Sequence, residues 1–136
     1  MQTTTVMALV AEAKGRIQNL SPDEVARELD NGEVVLVDLR EPAELAEQGV
    51  IAGAIHAPRG MLEFYADPAS PYHRSEFQPA ARTILYCASG GRSALACDSL
   101  RGLGYERLAH LDGGLKAWKE AGRPTQPTTT TTWPPG

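Results

Sequence analysis

The run Cys87-Ala88-Ser89-Gly90-Gly91-Arg92-Ser93 follows directly on the apolar residues Thr83-Ile84-Leu85-Tyr86. A thiol at a strand end, a loop of small residues and the start of an amphipathic stretch together turn several backbone N–H groups toward one sulfur. Such a loop is an anion cradle with a nucleophile at its base. The loop amides, the N-terminal end of the following helix and the Arg92 guanidinium all favour a thiolate there. The amides from Ala88 to Ser93 are the candidate donors, Gly90 and Gly91 permit close backbone approach, and Ser89 and Ser93 add hydroxyls or simply cap the helix. A lone free cysteine is more often a small buried hydrophobe, but two glycines and a guanidinium are unusual company for inert packing. No histidine stands in the loop as a dedicated base, and none is required if the cradle already holds the thiol ionised.

Other residues gather around this loop. Asp38 and Arg40 close the apolar run Val34-Val35-Leu36-Val37, and a parallel sheet would bring them near Cys87. Asp38 either accepts hydrogen bonds from the loop or pairs with Arg92, or it caps the helix that begins at Pro42. Arg40 is expected to pair with a nearby glutamate as a structural clamp. Arg92 sits on the first helical turn, where a cation gains nothing from the dipole, and its guanidinium suits the paired oxygens of a sulfonate. Cys97 falls on an apolar helix face with Leu95, Ala96 and Leu100 and reads as buried. Arg59, Tyr65 and His73 are candidates for a pocket rim, while Gly113, Gly114 and Trp118 read as structural.

The elements that must position these groups alternate along the chain. Val6, Val10, Ala13 and Ile17 recur at helical spacing and predict an N-terminal helix or arm within residues 1–19. Ser21-Pro22-Asp23-Glu24 is a helix start with serine cap, first-position proline and capping-box glutamate, and Asn31-Gly32 ends that helix. Val34 to Val37 and Thr83 to Tyr86 are continuous apolar runs, as in strands covered on both faces of a parallel sheet, and Arg107 to Leu111 is a weaker third. Helices are expected over Pro42 to Gln48, Arg92 to Leu100 and Leu115 to Ala121. Strands alternating with short helices argue for an α/β layered domain over residues 20–124, whose ligands would sit at the carboxyl ends of the strands. Met61 to Pro79 is broken by prolines and reads as a long loop with a helical turn, of the kind that often forms a lid. Residues 125–136, rich in threonine and proline, read as a flexible tail.

Composition narrows the partners. A chain of 136 residues with 42% hydrophobic residues is one ordinary globular domain. A net charge of −4 without any Lys/Arg cluster argues against nucleic acid and against an anionic membrane surface. No apolar run approaches the roughly 20 residues that span a bilayer and no secretory signal is visible, so a cytoplasmic location is expected. Cys87 and Cys97 form no Cys-x-x-Cys pair, and His56, His73 and His110 are scattered. Neither a metal nor another cofactor is therefore expected.

Four segments in order carry a family resemblance: Val37 to Pro42, Gly49 to Pro58, the loop Cys87 to Ser93, and Leu111 to Trp118. On these the chain resembles the single-domain rhodaneses, a family of sulfurtransferases, from about Leu20 to Pro124. The resemblance implies a rhodanese-like α/β domain with a mostly parallel five-stranded sheet flanked by helices on both faces. It also implies that Cys87 carries a persulfide, taking sulfur from thiosulfate or another small sulfane donor and yielding it to cyanide or a thiol by ping-pong covalent catalysis. A non-catalytic sulfur carrier that serves a protein acceptor is the main alternative. Phosphatases and arsenate reductases of related fold place five residues between cysteine and arginine. Here four intervene, Ala88 to Gly91, and Tyr86 stands where the phosphatase signature has histidine. A narrower ring favours a single sulfur over a tetrahedral oxyanion.

Overall fold

The computed structural model describes residues 3–128. In chain order the elements are α1 (Val6–Lys14), β1 (Gln18–Leu20), α2 (Pro22–Asn31), β2 (Val35–Asp38), α3 (Pro42–Gln48), β3 (Ile55–His56), α4 (Leu62–Ala66), β4 (Thr83–Tyr86), α5 (Gly91–Arg101), β5 (Leu108–Leu111) and α6 (Gly114–Glu120). Local chemistry sets several of the ends. At α2 the Ser21 hydroxyl accepts from the Glu24 amide, the Glu24 carboxylate accepts from the Ser21 amide, and Pro22 opens the helix. Pro42 opens α3 in the same way, and the Glu41 amide donates to the Glu44 carboxylate.

The five strands form one sheet in the order β1-β5-β4-β2-β3, and the strand pairings run parallel. The register sets Asp38 opposite Tyr86, so the chain leaves β2 and β4 side by side at the same edge of the sheet. Alternation divides the core. Leu36, Ile84, Tyr86, Ala109 and Leu111 pack on one face with Val25 of α2 and with Leu115 and Trp118 of α6. Val37, Leu85, Cys87 and Leu108 pack on the other with Leu62 and Tyr65 of α4 and with Ala96, Cys97 and Leu100 of α5. Covered on both faces, β4 and β5 are buried at every position, which is why their sequences are continuous apolar runs.

The five-stranded parallel sheet with helices on both faces is the one the resemblance implied, and two other expectations change. The edge strands β1 and β3 span 3 and 2 residues, too short for a periodic signal, and only the family resemblance implied a count of five. The Met61 to Pro79 segment, expected as a long loop with a helical turn, does hold the short α4, but it buries Leu62, Tyr65 and Phe77 and so forms a layer of the core where a lid was expected. The chain also stays attached beyond Pro124. Gln126 and Val50 exchange backbone hydrogen bonds of 2.8 and 2.9 Å in an antiparallel bridge, and the Trp118 indole donates to the Pro124 carbonyl. The remainder of the expected tail, residues 129–136, lies outside the described residues. Among the described residues no helix is long and apolar enough to cross a membrane.

Candidate functional site

Cys87 leaves the carboxyl end of β4, the middle strand of the sheet, and the chain turns at once into α5. Gly90 makes that turn with φ of 103°, a left-handed conformation that disfavours side chains. No side chain caps α5, so its first amides are free to serve the loop. The Gly90 amide donates to the Cys87 sulfur at 3.2 Å and the Ser93 amide at 3.4 Å. These two are the members of the expected Ala88-to-Ser93 donor set that reach the Cys87 sulfur. Ser89 is exposed, Ala88, Gly91 and Arg92 are half-buried, and Cys87 is 1% exposed.

The back of the loop rests on the turn between β5 and α6. The first amides of α6 take its carbonyls: Leu115 N–H donates to the Cys87 carbonyl at 2.9 Å and Lys116 N–H to that of Ala88 at 3.0 Å. Gly114 makes this possible, for a Cβ there would lie 2.6 Å from the Ala88 carbonyl carbon and from the Cys87 oxygen, at φ of +63°. With carbonyls drawn backward, the loop presents N–H groups forward. Gly113 and Gly114 are thus structural as expected, and what they shape is the cysteine loop itself.

The charged groups pair differently from the expectation. Arg92 gives both terminal nitrogens to the Glu44 carboxylate of α3, at 2.7 and 2.9 Å. That contact pulls Glu44 down to about 2 against the opposing effect of burial, and it raises Arg92, with a smaller contribution from Cys87. Asp38 does not take Arg92. It holds the Arg40 amide and guanidinium at 2.7 to 3.0 Å in a pair that is 1% exposed on both sides. Arg40 is a clamp, but its partners are Asp38 and the carbonyls of Glu44 and Gly49 rather than a glutamate side chain. Its guanidinium also lies 5.7 Å from the centre of the Tyr86 ring, a cation–π contact, and the Tyr86 hydroxyl accepts from the Ile51 amide. The Asp38 and Arg40 pair therefore ties the end of β2 to α3, which carries Glu44 to the loop.

A second polar chain runs behind the sulfur. Cys87 Sγ lies 3.5 Å from Ser93 Oγ, Ser93 Oγ lies 2.8 Å from His110 Nδ1, and His110 Nε2 lies 2.8 Å from Asn19 Oδ1. Ser93 and His110 are fully buried. Burial pushes the imidazole down to about 4, against the attraction of Asp112 and with help from Lys14. His110 lies in β5 and Asn19 in β1, so strand order alone brings them to the loop. Sequence reasoning missed His110, Asn19 and Glu44, for none of them lies within a motif that marks its partner.

The remaining candidates are held in place elsewhere. Cys97 donates to the Ala109 carbonyl and burial pushes its thiol up to about 12. Arg59 pairs with Glu63, Tyr65 is buried beneath the Arg74 guanidinium, and His73 meets the Phe77 carbonyl. All three thus have partners inside their own segment. An open groove of about 480 Å³ adjoins the cysteine loop at Ala88 and is lined also by Glu44, Leu115, Lys116 and Lys119.

The family model for the rhodanese-like domain matches residues 21–121. The chain belongs to the rhodanese-like domain family. A sulfurtransferase of Allochromatium vinosum is 39% identical over 95 residues, covering 70% of this chain and 80% of that one. The rhodanese-like fold is shared with a Rhodopseudomonas palustris protein of unknown function, described as a possible tyrosine phosphatase: TM-score 0.85, 38% identity, 93% of this chain and 97% of that one. It is shared too with the polysulfide-sulfur transferase of Wolinella succinogenes: TM-score 0.72, 29% identity, 90% and 88% of the two chains. Some relatives are longer, and the chain spans 46% of a Synechocystis protein and 26% of one from Mycobacterium tuberculosis. Rhodanese-like membership and relatives named sulfurtransferases support sulfur transfer as the general chemistry and a transferase as the class of enzyme.

Proposed function

We propose that Cys87 takes sulfane sulfur from thiosulfate or a related donor, holds it as a persulfide and yields it to a thiophilic acceptor, cyanide or a thiol. In the first half-reaction the Cys87 thiolate attacks the outer sulfur of the donor, a new S–S bond forms, and the leaving group, sulfite for thiosulfate, departs with the electrons of the broken bond. In the second half-reaction the acceptor attacks the outer sulfur of the persulfide and Cys87 leaves as a thiolate. The amides from Ala88 to Ser93 cradle the transferred sulfur, and Asp38 and Arg40 keep the neighbouring strand end in place. The groove beside Ala88 offers the acceptor a seat next to the loop.

One observation carries this reading: the sulfur sits under the Gly90 and Ser93 amides, at 3.2 and 3.4 Å, while both terminal nitrogens of Arg92 are already on Glu44. Preorganised N–H donors stabilise charge that develops on sulfur, and with Arg92 held by Glu44 these amides are the donors that meet the sulfur directly. The description of the Rhodopseudomonas relative raises phosphate ester hydrolysis as a second reading, and the four residues between Cys87 and Arg92, with Tyr86 before the cysteine, speak against it.

Intact-mass measurement after treatment with thiosulfate or polysulfide tests the proposal. The expected result is a gain of one sulfur atom, about 32 Da, that cyanide removes and that Cys87→Ser lacks. An unmodified wild-type protein that hydrolyses an aryl phosphate would replace sulfur transfer with phosphatase chemistry. An adduct that persists in cyanide and thiols until a protein acceptor is added would identify a carrier.

A further inference from the structure

The polar chain behind Cys87 has a direction that its hydrogen bonds determine. The Asn19 side-chain amide donates through Nδ2 to the carbonyls of Lys14 and Ile17, at 3.0 and 3.2 Å. Its Oδ1 is thereby turned toward His110 Nε2 and can only accept. Nε2 consequently carries the hydrogen, Nδ1 carries the lone pair, and the Ser93 hydroxyl donates its one hydrogen to Nδ1 at 2.8 Å, nearer than the Gly90 carbonyl at 3.3 Å. The Ser93 oxygen then turns a lone pair to Cys87, whose thiol donates to it at 3.5 Å. The side chains thus link donor to acceptor from Cys87 to Asn19, in a site where Cys87 is 1% exposed and Ser93 and His110 are fully buried.

We propose that Ser93 and His110 form a proton relay for Cys87, in which the thiol proton passes to Ser93 Oγ as the Ser93 proton passes to His110 Nδ1. The proposal rests on sulfur transfer at Cys87 and adds the fate of the proton. The S–H bond breaks with its electron pair left on sulfur. Ser93 gains one proton and loses another, and the neutral pair becomes thiolate and imidazolium without change of net charge. After the shift every hydrogen bond is still made: Ser93 donates to the thiolate and accepts from Nδ1–H, and Nε2–H stays on Asn19. Asp112 Oδ1 stands 3.9 Å from Nε2 and favours the imidazolium, although Lys14, 2.8 Å from the same oxygen, partly offsets it. These are the charged groups that face the ring, Lys14 from α1 and Asp112 from the turn into α6. Because burial disfavours the imidazolium, the proton stays on His110 only briefly. Once the sulfur has attacked a sulfane donor, Nδ1 returns the proton through Ser93 Oγ to the new persulfide, whose outer sulfur carries the negative charge, and the imidazole keeps Nε2–H on Asn19. His110 touches no reacting atom and is a positioning residue.

The test is the rate at which a neutral electrophile, iodoacetamide, alkylates Cys87 in the full chain from pH 6 to pH 10, with the modified residue identified by peptide mass so that Cys97 is read separately. Ser93→Ala keeps the backbone amide on sulfur and removes only the hydroxyl. His110→Gln removes the ring. Both are expected to react at least about tenfold more slowly than wild type near pH 7, to converge with it at high pH where hydroxide removes the proton, and to show no further loss when combined. A wild-type solvent isotope effect that disappears in Ser93→Ala is expected as well. Unchanged or faster alkylation of Ser93→Ala near pH 7 overturns the relay. So does a His110→Gln rate lowered equally at every pH, which would mark a merely structural role. Alkylation needs no sulfur donor, so the two readings fail separately. A wild type that loads sulfur while both variants alkylate normally refutes the relay alone. One that loads none while both variants slow near pH 7 refutes sulfur transfer alone.

Discussion

His110 illustrates how one side chain can serve the site and burden the fold. The imidazole has no access to water, and burial pushes it from its ordinary value of 6.5 down to about 4. Between those values the unfolded chain binds a proton that the folded chain refuses, so stability rises with pH. The contribution is complete above about pH 6.5 and is lost as the pH falls toward 4, on the order of 3 kcal/mol for a shift of this size. Urea unfolding at pH 7 and pH 4.5 should show this loss in wild type and a much smaller one in His110→Gln. An equal loss in both would place the acid sensitivity elsewhere. Glu44 acts in a lower window, since Arg92 holds it at about 2. Its share is present above about pH 4.5, is lost toward pH 2, and is reduced by solvent because its side chain is 32% exposed. The two groups therefore fail one after the other on acidification, the imidazole first.

Among the elements, the turn from β5 into α6 does most to shape the cysteine loop. It receives the carbonyls of Cys87 and Ala88 on the amides of Leu115 and Lys116, and a methyl group on Gly114 would overlap that backbone at 2.6 Å. Gly114→Ala is expected to cost about 2–4 kcal/mol through strain at positive φ and overpacking. It should also slow sulfur loading by about 100-fold as the loop is displaced. Gly122→Ala separates the two causes, because Gly122 has φ of +77° but nothing within 4 Å of the added carbon. That variant should lose some stability in urea and keep its loading rate. If Gly122→Ala slows loading as much as Gly114→Ala does, the contact with the loop is not the reason.

On the scale of the whole molecule, both ends of the described chain are fastened near the site. Gln126 bridges to Val50, the residue after the Gly49 whose carbonyl Arg40 holds. At the other end α1 packs through Val10 and Ala13 on Ala94 of α5, and Lys14 pairs with Asp112. Its Lys14 carbonyl also helps to orient Asn19. Removal of residues 1–15 leaves the family match at 21–121 intact and is expected to yield a folded protein less stable by about 3 kcal/mol, from the exposure of the face that Val10 and Ala13 cover. Equilibrium urea unfolding measures this, and a loss within about 0.5 kcal/mol would show that α1 is a loose arm.

The sequence by itself determined whatever depends on neighbours along the chain. Apolar runs marked β2, β4 and β5 to within a residue, Ser21 and Pro22 marked the start of α2, and the small residues after Cys87 marked the loop that ends on Arg92. Such features are legible because caps, turns and periodicity act over a few residues. The tertiary structure alone decided the partners: Glu44 for Arg92, Arg40 for Asp38, and His110 with Asn19 for Ser93. It also decided that Gly114 abuts the Cys87 carbonyl and that strands as short as β1 and β3 exist. The physical reason is that these contacts follow from the order β1-β5-β4-β2-β3, which sets distant segments side by side while leaving no trace in the local pattern of either one.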